Sequence, residues 1–404
     1  MNPANPAAAQ RQPHPLHAIL AGLCASLVGI GLARFAYTPL IPSLIEAHWF
    51  AANDVVYLGA ANLVGYLAGA LVGRPLARRL APRVALQLMM LLASLAFVAC
   101  AFPLSVAWFF LWRFLSGLAG GAIMVLAAGT VLPFIPGERK GLASGAVFLG
   151  LGLGIAGSGT LVPLLLEMGL RQTWIGLGAL SLLLTVIAWA GWPHAPRLPA
   201  ASRAQAKVAV PPVLRLIYAQ YALMAVTLVP MMVFLVDYVA RGLQWGTHSA
   251  ALFWVVYGLG AIAGPMSYGV LADRIGVAAS TRIALLAQVI AVAALVLSQQ
   301  PAVLVAAVLV IGSFPPGIVP LTLGRVQQAL PTDAVAQGAA WSRATVIFAL
   351  FQALAGYAYS YLFASSGGNH RELFALAGCA VVLTLLAEVP LLLGQRRESV
   401  ELAD

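Results

Sequence analysis

About twelve runs of predominantly apolar residues follow one another along the chain, and each is long enough to cross a bilayer. A transmembrane α-helix needs about 20 such residues, because backbone groups without hydrogen bonds are not tolerated in hydrocarbon. The composition agrees: 62% of the residues are hydrophobic and 8% are charged, whereas soluble domains are about half apolar. The sequence therefore predicts an all-α integral membrane protein with twelve transmembrane helices. The predicted spans are 17–45, 53–73, 84–103, 106–133, 142–168, 173–192, 213–240, 249–271, 281–298, 302–328, 336–364 and 373–394.

The predicted spans form two groups of six, separated by a proline-rich segment. This segment, 193–212, contains five prolines and three basic residues, the composition of an exposed connector. We predict that it is a cytoplasmic linker between an N-terminal six-helix bundle at 17–192 and a C-terminal six-helix bundle at 213–394. Residues 1–16 are predicted to be a disordered tail, and residues 395–404 a cytoplasmic tail.

The basic residues are distributed unevenly between the two sides of the predicted membrane. Seventeen of the 22 Lys and Arg residues fall on the side of the termini, and three fall on the other side. Because loops rich in Lys and Arg stay in the cytoplasm, both termini are predicted to be cytoplasmic in a cell (inner or plasma) membrane. The formal charge of +10 therefore reflects topology and requires no nucleic acid.

Two stretches at equivalent places in the two halves carry related motifs. Gly269–Gly276 contains Asp273 and Arg274 between the eighth and ninth spans, and Gly73–Arg83 lies between the second and third spans, with Arg78 where Asp273 stands. The intact copy resembles the loop signature of the major facilitator superfamily. The resemblance implies two pseudo-symmetric bundles that hold a substrate between them near mid-membrane and open alternately to each side.

Two further stretches each combine a family resemblance with an arginine inside a span. Gly29–Pro42, which contains Arg34 and Tyr37, resembles the first helix of the YbfB/YjiJ-like branch of the superfamily. Leu111–Gly121, which contains Arg113, resembles the fourth-helix motif of the superfamily. In that motif the arginine is linked to proton transfer or substrate binding, so Arg113 is predicted to bind substrate or to couple transport to protons.

Arg34 lies about 25 Å along its span at 1.5 Å per residue, too deep to reach the cytoplasm easily. A guanidinium inside a span costs at least about 2.5 kcal/mol, so it normally meets a polar cavity, a partner or a substrate. Tyr37 shares its helix face. With Arg113, these residues indicate an anionic or zwitterionic substrate, because the guanidinium fork matches a carboxylate. The alternatives are that Arg34 reaches the outer interface or bonds free carbonyls near Pro39 and Pro42, and that Arg113 is a structural anchor.

Further polar groups inside the spans are candidate substrate ligands, although each is equally able to bond a neighbouring backbone group. Tyr66, Gln352 and Tyr359 join Arg34, Tyr37 and Arg113 as predicted substrate-binding residues. The eleventh span, which holds Gln352 and Tyr359, is rich in Phe and Tyr, whereas its counterpart, the fifth, is rich in glycine. We therefore expect an asymmetric site and a tightly packed fifth helix. Gly65, Gly69 and Gly73 of the second span are also expected to allow close helix contact.

Few acids or histidines are placed to carry protons. Asp237 lies near the outer end of the seventh span, where solvation at the outer surface is the favoured interpretation. Like Arg113, it is also a candidate for coupling transport to protons. Glu388, on a helix that is peripheral in the related fold, is interpreted as structural. All six histidines fall in predicted tails or loops, which argues against a histidine proton relay.

The loop motifs are expected to brace an inner gate, as the resemblance implies. Asp273 should meet the start of the fifth span near Arg139 and Lys140, and Arg274 beside it belongs to the same predicted inner gate. By pseudo-symmetry the loop with Arg78 and Arg79 should meet the start of the eleventh span, where Asp333 is available. The alternative is that these arginines serve only membrane topology.

No nucleotide-binding loop, metal-spaced His/Cys cluster or nucleophile elbow is present, so the sequence predicts no enzyme, no cofactor and no metal. The favoured interpretation is a monomeric secondary active transporter of a small organic solute, driven by protons. One alternative is an efflux pump for amphiphilic or aromatic compounds, and another is a membrane sensor or scaffold that does not transport.

Overall fold

The computed structural model describes residues 13–135, 140–194, 211–331 and 334–389, and all the regular secondary structure in these ranges is helical. Eleven of the described helices are long and apolar enough to cross a membrane, and the twelfth spans 17 residues. The predicted all-α membrane fold with twelve helices is therefore confirmed. The helices are α1 (Pro15–Glu46), α2 (Ala52–Leu80), α3 (Pro82–Cys100), α4 (Val106–Phe134), α5 (Lys140–Leu166), α6 (Leu170–Ala188), α7 (Pro212–Gly242), α8 (Gly246–Ile275), α9 (Val277–Leu297), α10 (Pro301–Ala329), α11 (Ala334–Ser365) and α12 (His370–Leu386).

The helices group into an N-terminal half, α1–α6, and a C-terminal half, α7–α12. Most of the predicted connector and both chain ends lie outside the described residues, so those boundaries stay predictions. One boundary shifts: α1 begins at Pro15, inside the segment predicted as a tail. Proline suits this position because the first residues of a helix have no use for a backbone N–H.

The two halves repeat the same helix contacts at a spacing of 195 residues. A Cβ atom on Gly65 of α2 would lie 1.9 Å from the carbonyl oxygen of Phe114 in α4. A Cβ on Gly260 of α8 would lie 2.0 Å from the carbonyl oxygen of Leu309 in α10. Only glycine permits such close approach. The predicted glycine stripe on the second helix is thus a backbone contact with α4, and it has an equivalent in the other half.

The polar residues do not follow this repeat. At the same spacing, Val308 occupies the position of Arg113, and Tyr257 occupies the position of Asn62. Val308 is fully buried, like Arg113, but it is apolar. The helix framework is therefore symmetric, whereas the polar residues at these equivalent positions differ between the halves.

The motif residues are more helical than predicted. α2 continues through Arg78 and Arg79 to Leu80, and α8 continues through Asp273 and Arg274 to Ile275. A single residue separates each helix from the next. That residue is Ala81 with φ 70° in the first half and Gly276 with φ 83° in the second. We call the end of the molecule with these two turns the motif end, and the opposite end, which carries Glu46, the far end.

The glycines of α5 face two helices at once. A Cβ on Gly154 would lie 2.3 Å from Cα of Gly31 in α1, and a Cβ on Gly152 would lie 2.9 Å from the backbone of Ala261 in α8. Across the same surface, a Cβ on Gly258 of α8 would lie 2.3 Å from Ala156. The tight packing expected for the fifth helix is therefore present, and it joins the two halves along α5 and α8.

The helices that begin each half are irregular where the polar residues lie. In α1 a π-helical segment, Leu27–Leu32, ends two residues before Arg34, and a 3₁₀ turn follows at Thr38–Leu40. In α7 a π-helical segment, Tyr238–Gly242, follows Asp237. π-Helical turns change the direction of the following side chains and are frequent at functional sites.

Candidate functional site

A cavity of about 40 Å³ lies between the two halves, and residues of both halves line it. Arg34 and Tyr66 contribute from the N-terminal half, and Tyr221, Phe348 and Gln352 from the C-terminal half. We call it the central cavity. Its volume suits about one water molecule, so the structure shows the site in a nearly closed form.

Arg34 connects the central cavity to a second void of about 20 Å³, which Tyr37, Asn62 and Arg113 also line. The Nε and Nη2 atoms of Arg34 are buried and have no hydrogen-bond acceptor in the described residues. Its Cζ lies 5.1 Å from the ring centroid of Tyr66 and 5.7 Å from that of Phe35. Arg34 therefore faces the interior, as predicted from its depth, with aromatic neighbours and unused donors.

Arg113 is fixed more firmly than Arg34. Its Nη1 donates a hydrogen bond to the carbonyl oxygen of Ala33, at 2.8 Å, and its Cζ lies 4.2 Å from the ring centroid of Tyr37. The Tyr37 hydroxyl in turn donates to the carbonyl oxygen of Val55 at 2.6 Å. Only Nε of Arg113 is buried without an acceptor. These contacts join α1, α2 and α4 and hold Arg113 in place. They favour the role of structural anchor, which the sequence left open as the alternative to substrate binding or coupling.

Asn62 extends this polar group on α2. Its Nδ2 donates to Ser116 Oγ at 2.8 Å, and Ser116 Oγ donates to the carbonyl oxygen of Arg113 at 2.8 Å. The Oδ1 atom of Asn62 is buried and accepts no hydrogen bond in the described residues. The second void therefore has a free acceptor, Asn62 Oδ1, in addition to the free donors of Arg34.

The structure brings most of the predicted substrate ligands together. Tyr66 and Gln352 line the central cavity from opposite halves, and Oε1 of Gln352 is buried without a donor. Tyr359 lies two turns further along α11, where it is buried close to the Cys379 thiol of α12. It does not line either of the two voids beside Arg34.

Several residues at the site were not singled out from the sequence. Thr38 of α1 donates a hydrogen bond of 2.6 Å to the carbonyl oxygen of Met232 in α7, and so joins the halves directly. Tyr221 and Phe348 line the cavity with their ring centroids 4.5 Å apart. Aromatic residues are common throughout the spans, so no sequence signal distinguished these two.

Asp237 is not solvated at the outer surface, contrary to the favoured prediction. It is 2% exposed and binds two partners. Arg241, one turn further along α7, donates through Nε to Oδ1 and through Nη2 to Oδ2, the latter at 2.7 Å. His370 places Nε2 2.7 Å from Oδ2. The prediction that every histidine lies in a tail or loop was therefore wrong, because α12 begins at His370 and buries it against α7.

The second buried acid, Glu388, stabilises the C-terminal half. It accepts hydrogen bonds from Arg325 Nη1 at 2.7 Å and from Gln220 Nε2 at 2.6 Å. Arg325 is therefore buried within α10. The contacts join α7, α10 and the segment after α12, in agreement with the structural role predicted for Glu388.

The predicted inner gate is only partly described. Arg79, Asp273 and Arg274 are exposed at the motif end, and Arg78 is half-buried with Nε lacking an acceptor among the described residues. Asp333 and Arg139 lie outside the described residues, as does the side chain of Lys140. A contact between the halves at this end comes instead from Arg74, whose Nη1 lies 3.5 Å from the carbonyl oxygen of Gly338 in α11.

Two repeated six-helix halves with a cavity and a buried arginine between them are the architecture of a multi-pass membrane carrier. A family model described as the uncharacterised MFS-type transporter YbfB matches residues 26–389. The chain belongs to this family of the major facilitator superfamily, as the motifs predicted. No curated protein sequence matches the chain.

Solved structures of similar fold include two of sugar transporters. A crystal structure of a D-xylose-proton symporter shares 16% identity with this chain at a TM-score of 0.72, and covers 92% of this chain and 95% of its own. A partially occluded inward-open conformation of the xylose transporter XylE from E. coli shares 16% identity at a TM-score of 0.70, with 93% and 96% covered. At this identity the likeness establishes the fold alone.

Proposed function

We propose that this carrier transports a small organic anion or zwitterion by alternating access, and that protons drive the transport. The observation that carries the proposal is the guanidinium of Arg34. It lies between the halves with two buried donors unused, and the ion pairs formed by described residues lie elsewhere, at Asp237 and Glu388. Because a buried cation without a counter-ion is costly, a carboxylate of the substrate is the partner that suits it best.

The groups around Arg34 favour particular chemical groups on the proposed substrate besides its carboxylate. Gln352 Oε1 and Asn62 Oδ1 are unused acceptors, so a hydroxyl or ammonium group on the substrate has partners close to the carboxylate site. Tyr66, Phe348 and Gln352 line the central cavity with Arg34, which places a ring or alkyl group of the substrate against aromatic walls. Arg113 supports this site through Tyr37 and Ala33, and Tyr359 is at most an indirect contributor.

Alternating access requires the contacts between the halves to break on one side of the cavity at a time. Toward the far end these contacts are Thr38 with Met232, Tyr57 stacked on Tyr357 at 6.2 Å, and Trp254 Nε1 donating to Ser158 Oγ at 2.9 Å. At the motif end Arg74 reaches α11. The proposed gate residues, Arg78, Arg79, Asp273, Arg274 and Asp333, act at this second end.

A second candidate function is efflux of amphiphilic aromatic compounds. The specific observation in its favour is the number of rings at the cavity: Phe35, Tyr66, Tyr221 and Phe348 all line it. Rings bind hydrophobic cations through their faces. Arg34 opposes a cationic substrate, which is why an anion or zwitterion is preferred. The proposed setting is the cell membrane with both termini in the cytoplasm, supported by the clustering of basic residues at one side.

Thermal stability of the purified protein with candidate ligands tests both functions, since a ligand that binds only the folded state stabilises it. The ligands are lactate, glutarate, phenylalanine and the hydrophobic cation tetraphenylphosphonium. We expect a carboxylate-bearing ligand to raise the melting temperature of the wild type, and Arg34→Gln to remove this effect. The matched control is Arg79→Gln at an exposed site. Stabilisation by tetraphenylphosphonium alone, unchanged in Arg34→Gln, would favour the efflux function instead.

A further inference from the structure

At the far end, a buried acid and a histidine lie beside a cavity between the two halves. Among the carboxylates of the described residues, only Asp237 and Glu388 are buried. Glu388 is held by Arg325 within the C-terminal half. Asp237 instead shares its two oxygens between Arg241 and His370. Unlike a guanidinium, an imidazole both binds and releases a proton.

The cavity beside this group has a volume of about 370 Å³ and takes its walls from both halves. Arg241, Phe363 and His370 line it from the C-terminal half, and Ala52 and Asn53 from the N-terminal half. Asp237 lies behind Arg241 and His370. Because the walls come from both halves, relative movement of the halves changes the access of water to His370.

We propose that His370, held by Asp237, is the group that binds the driving proton in the transport cycle. The inference rests on the proposed function. Asp237 is a coupling candidate from the sequence, and the structure adds His370 as its partner. A carboxylate only accepts hydrogen bonds, so Nε2 of the neutral imidazole donates to Asp237 Oδ2. The basic atom is then Nδ1. A hydronium ion from the far-end cavity transfers its proton to Nδ1, leaving water and an imidazolium whose charge the Asp237 carboxylate stabilises.

Other charged and titratable groups lie around the site on α1, α7 and α12. On α7, Arg241 competes with His370 for Asp237, and the Tyr238 ring lies 5.7 Å from the imidazole with a buried hydroxyl. From α1, the Glu46 carboxylate acts on Arg241 through space. α11 contributes Phe363, whose ring centroid is 4.9 Å from that of His370. On α12 itself, Arg371 and Glu372 are exposed.

α7 links this site to the substrate cavity. Met232 lines both voids beside Arg34, and its carbonyl oxygen accepts the hydrogen bond from Thr38 of α1. Asp237 follows five residues later, just over one turn along the same helix. A change in the charge held at Asp237 therefore acts on the helix that forms the wall of the substrate cavity and its contact with the other half.

Histidine resonances in protein labelled with ¹³C-histidine and reconstituted in nanodiscs test proton binding without any substrate. The His370 signal is identified by its loss in His370→Gln. We expect it to titrate, with a midpoint that moves to lower pH in Asp237→Asn, because the stabilising carboxylate is gone, and to higher pH in Arg241→Gln, because the competing cation is gone. Glu372→Gln, an exposed acid on the same helix, is the matched control. The proposal is overturned if the midpoint of the His370 signal is the same in the wild type, in Asp237→Asn and in Arg241→Gln.

Transport in proteoliposomes then tests coupling, with phenylalanine as the probe because this zwitterion crosses bilayers poorly. In His370→Gln we expect the accumulation driven by a pH gradient to fall at least tenfold, while the rate of equilibrium exchange stays within twofold of the wild type. His248→Gln is the control and should change neither quantity. Gradient-driven accumulation that persists in His370→Gln overturns the proton site. Failure of the wild type to move phenylalanine counts against this zwitterion in the proposed function, and the titration then decides the proton site alone.

Discussion

The guanidinium of Arg113 lies over the ring of Tyr37, with 4.2 Å between Cζ and the ring centroid. Both residues are almost fully buried, and the contact joins α4 to α1 inside the membrane. A cation over a ring is worth about 2 kcal/mol or more when water is excluded. The pair therefore replaces the carboxylate that a buried arginine would otherwise need.

The strength of this contact is measurable by a double-mutant cycle with Tyr37→Leu and Arg113→Met. We expect a coupling energy of about 1–2 kcal/mol in the free energy of unfolding, because each single change removes the same contact. Tyr37→Phe, which keeps the ring and loses only the hydrogen bond to Val55, should retain most of the coupling. A coupling energy near zero would show that Arg113 depends on its bond to Ala33 instead.

The two one-residue turns predict opposite effects of glycine and alanine. Ala81 and Gly276 have φ of 70° and 83° with ψ of 149° and 156°, a region that side chains disfavour by about 1–3 kcal/mol. Ala81→Gly should therefore stabilise the protein, and Gly276→Ala should destabilise it. No atom lies within 4 Å of a Cβ at Gly276, so the effect comes from the backbone. Thermal unfolding in detergent measures both, and a destabilised Ala81→Gly would contradict the prediction.

Gly65 should tolerate no side chain. In Gly65→Ala the new methyl group would overlap the Phe114 carbonyl, so α2 and α4 must separate. We expect a loss above about 3 kcal/mol, or failure to fold, as in strongly overpacked cores. Gly129→Ala in α4, where no atom lies within 4 Å of the new methyl group, is the control and should be close to neutral. The yield of monodisperse protein and its melting temperature compare the two.

The Thr38 bond to Met232 should help to keep the far end closed. Thr38→Val preserves shape and removes a bond worth about 0.5–1.5 kcal/mol, so the open population should rise about two- to tenfold. Maleimide labelling of Ala60→Cys, a buried position on α2, reports this opening once Cys24, Cys100 and Cys379 are replaced by serine. Thr130→Val, which removes only a bond within α4, should leave the labelling rate unchanged.

The pair Arg325–Glu388 should stabilise the C-terminal half only while both partners are present. Glu388→Ala leaves a buried arginine and should cost about 3–5 kcal/mol, whereas the double change Arg325→Met with Glu388→Met should recover most of the loss. The free energy of unfolding distinguishes these outcomes. Glu372→Ala at an exposed site is the control, and a double variant no better than Glu388→Ala would contradict this interpretation.

The sequence predicted the fold well because membrane solvation imposes a strong rule on it. Helix length, the division into halves and the burial of Arg34 all follow from the cost of polar groups in hydrocarbon. The site was harder, because it depends on which helix faces meet. Tyr359 and Gln352 are seven residues apart and share a face of α11, yet Gln352 lines the cavity and Tyr359 lies two turns away, beside Cys379 of α12.

The error on Asp237 has a specific physical cause. Its position near the end of a span suggested water, since acids near the interface are inexpensive. The start of α12 three residues earlier than predicted, at His370, covers it instead. A pairing between residues 133 positions apart leaves no pattern in a single sequence.

The two surfaces along which the halves meet are built from different residues. Along α5 and α8, glycine and alanine backbones pack closely, and the hydrogen bond from Trp254 Nε1 to Ser158 Oγ joins the same two helices. Along α2 and α11, the rings of Tyr57 and Tyr357 stack, with 6.2 Å between their centroids, and they have to separate if this surface opens. Under the proposed alternating access, the α5–α8 surface would serve as the pivot, and the rate of transport would depend on how readily Tyr57 separates from Tyr357.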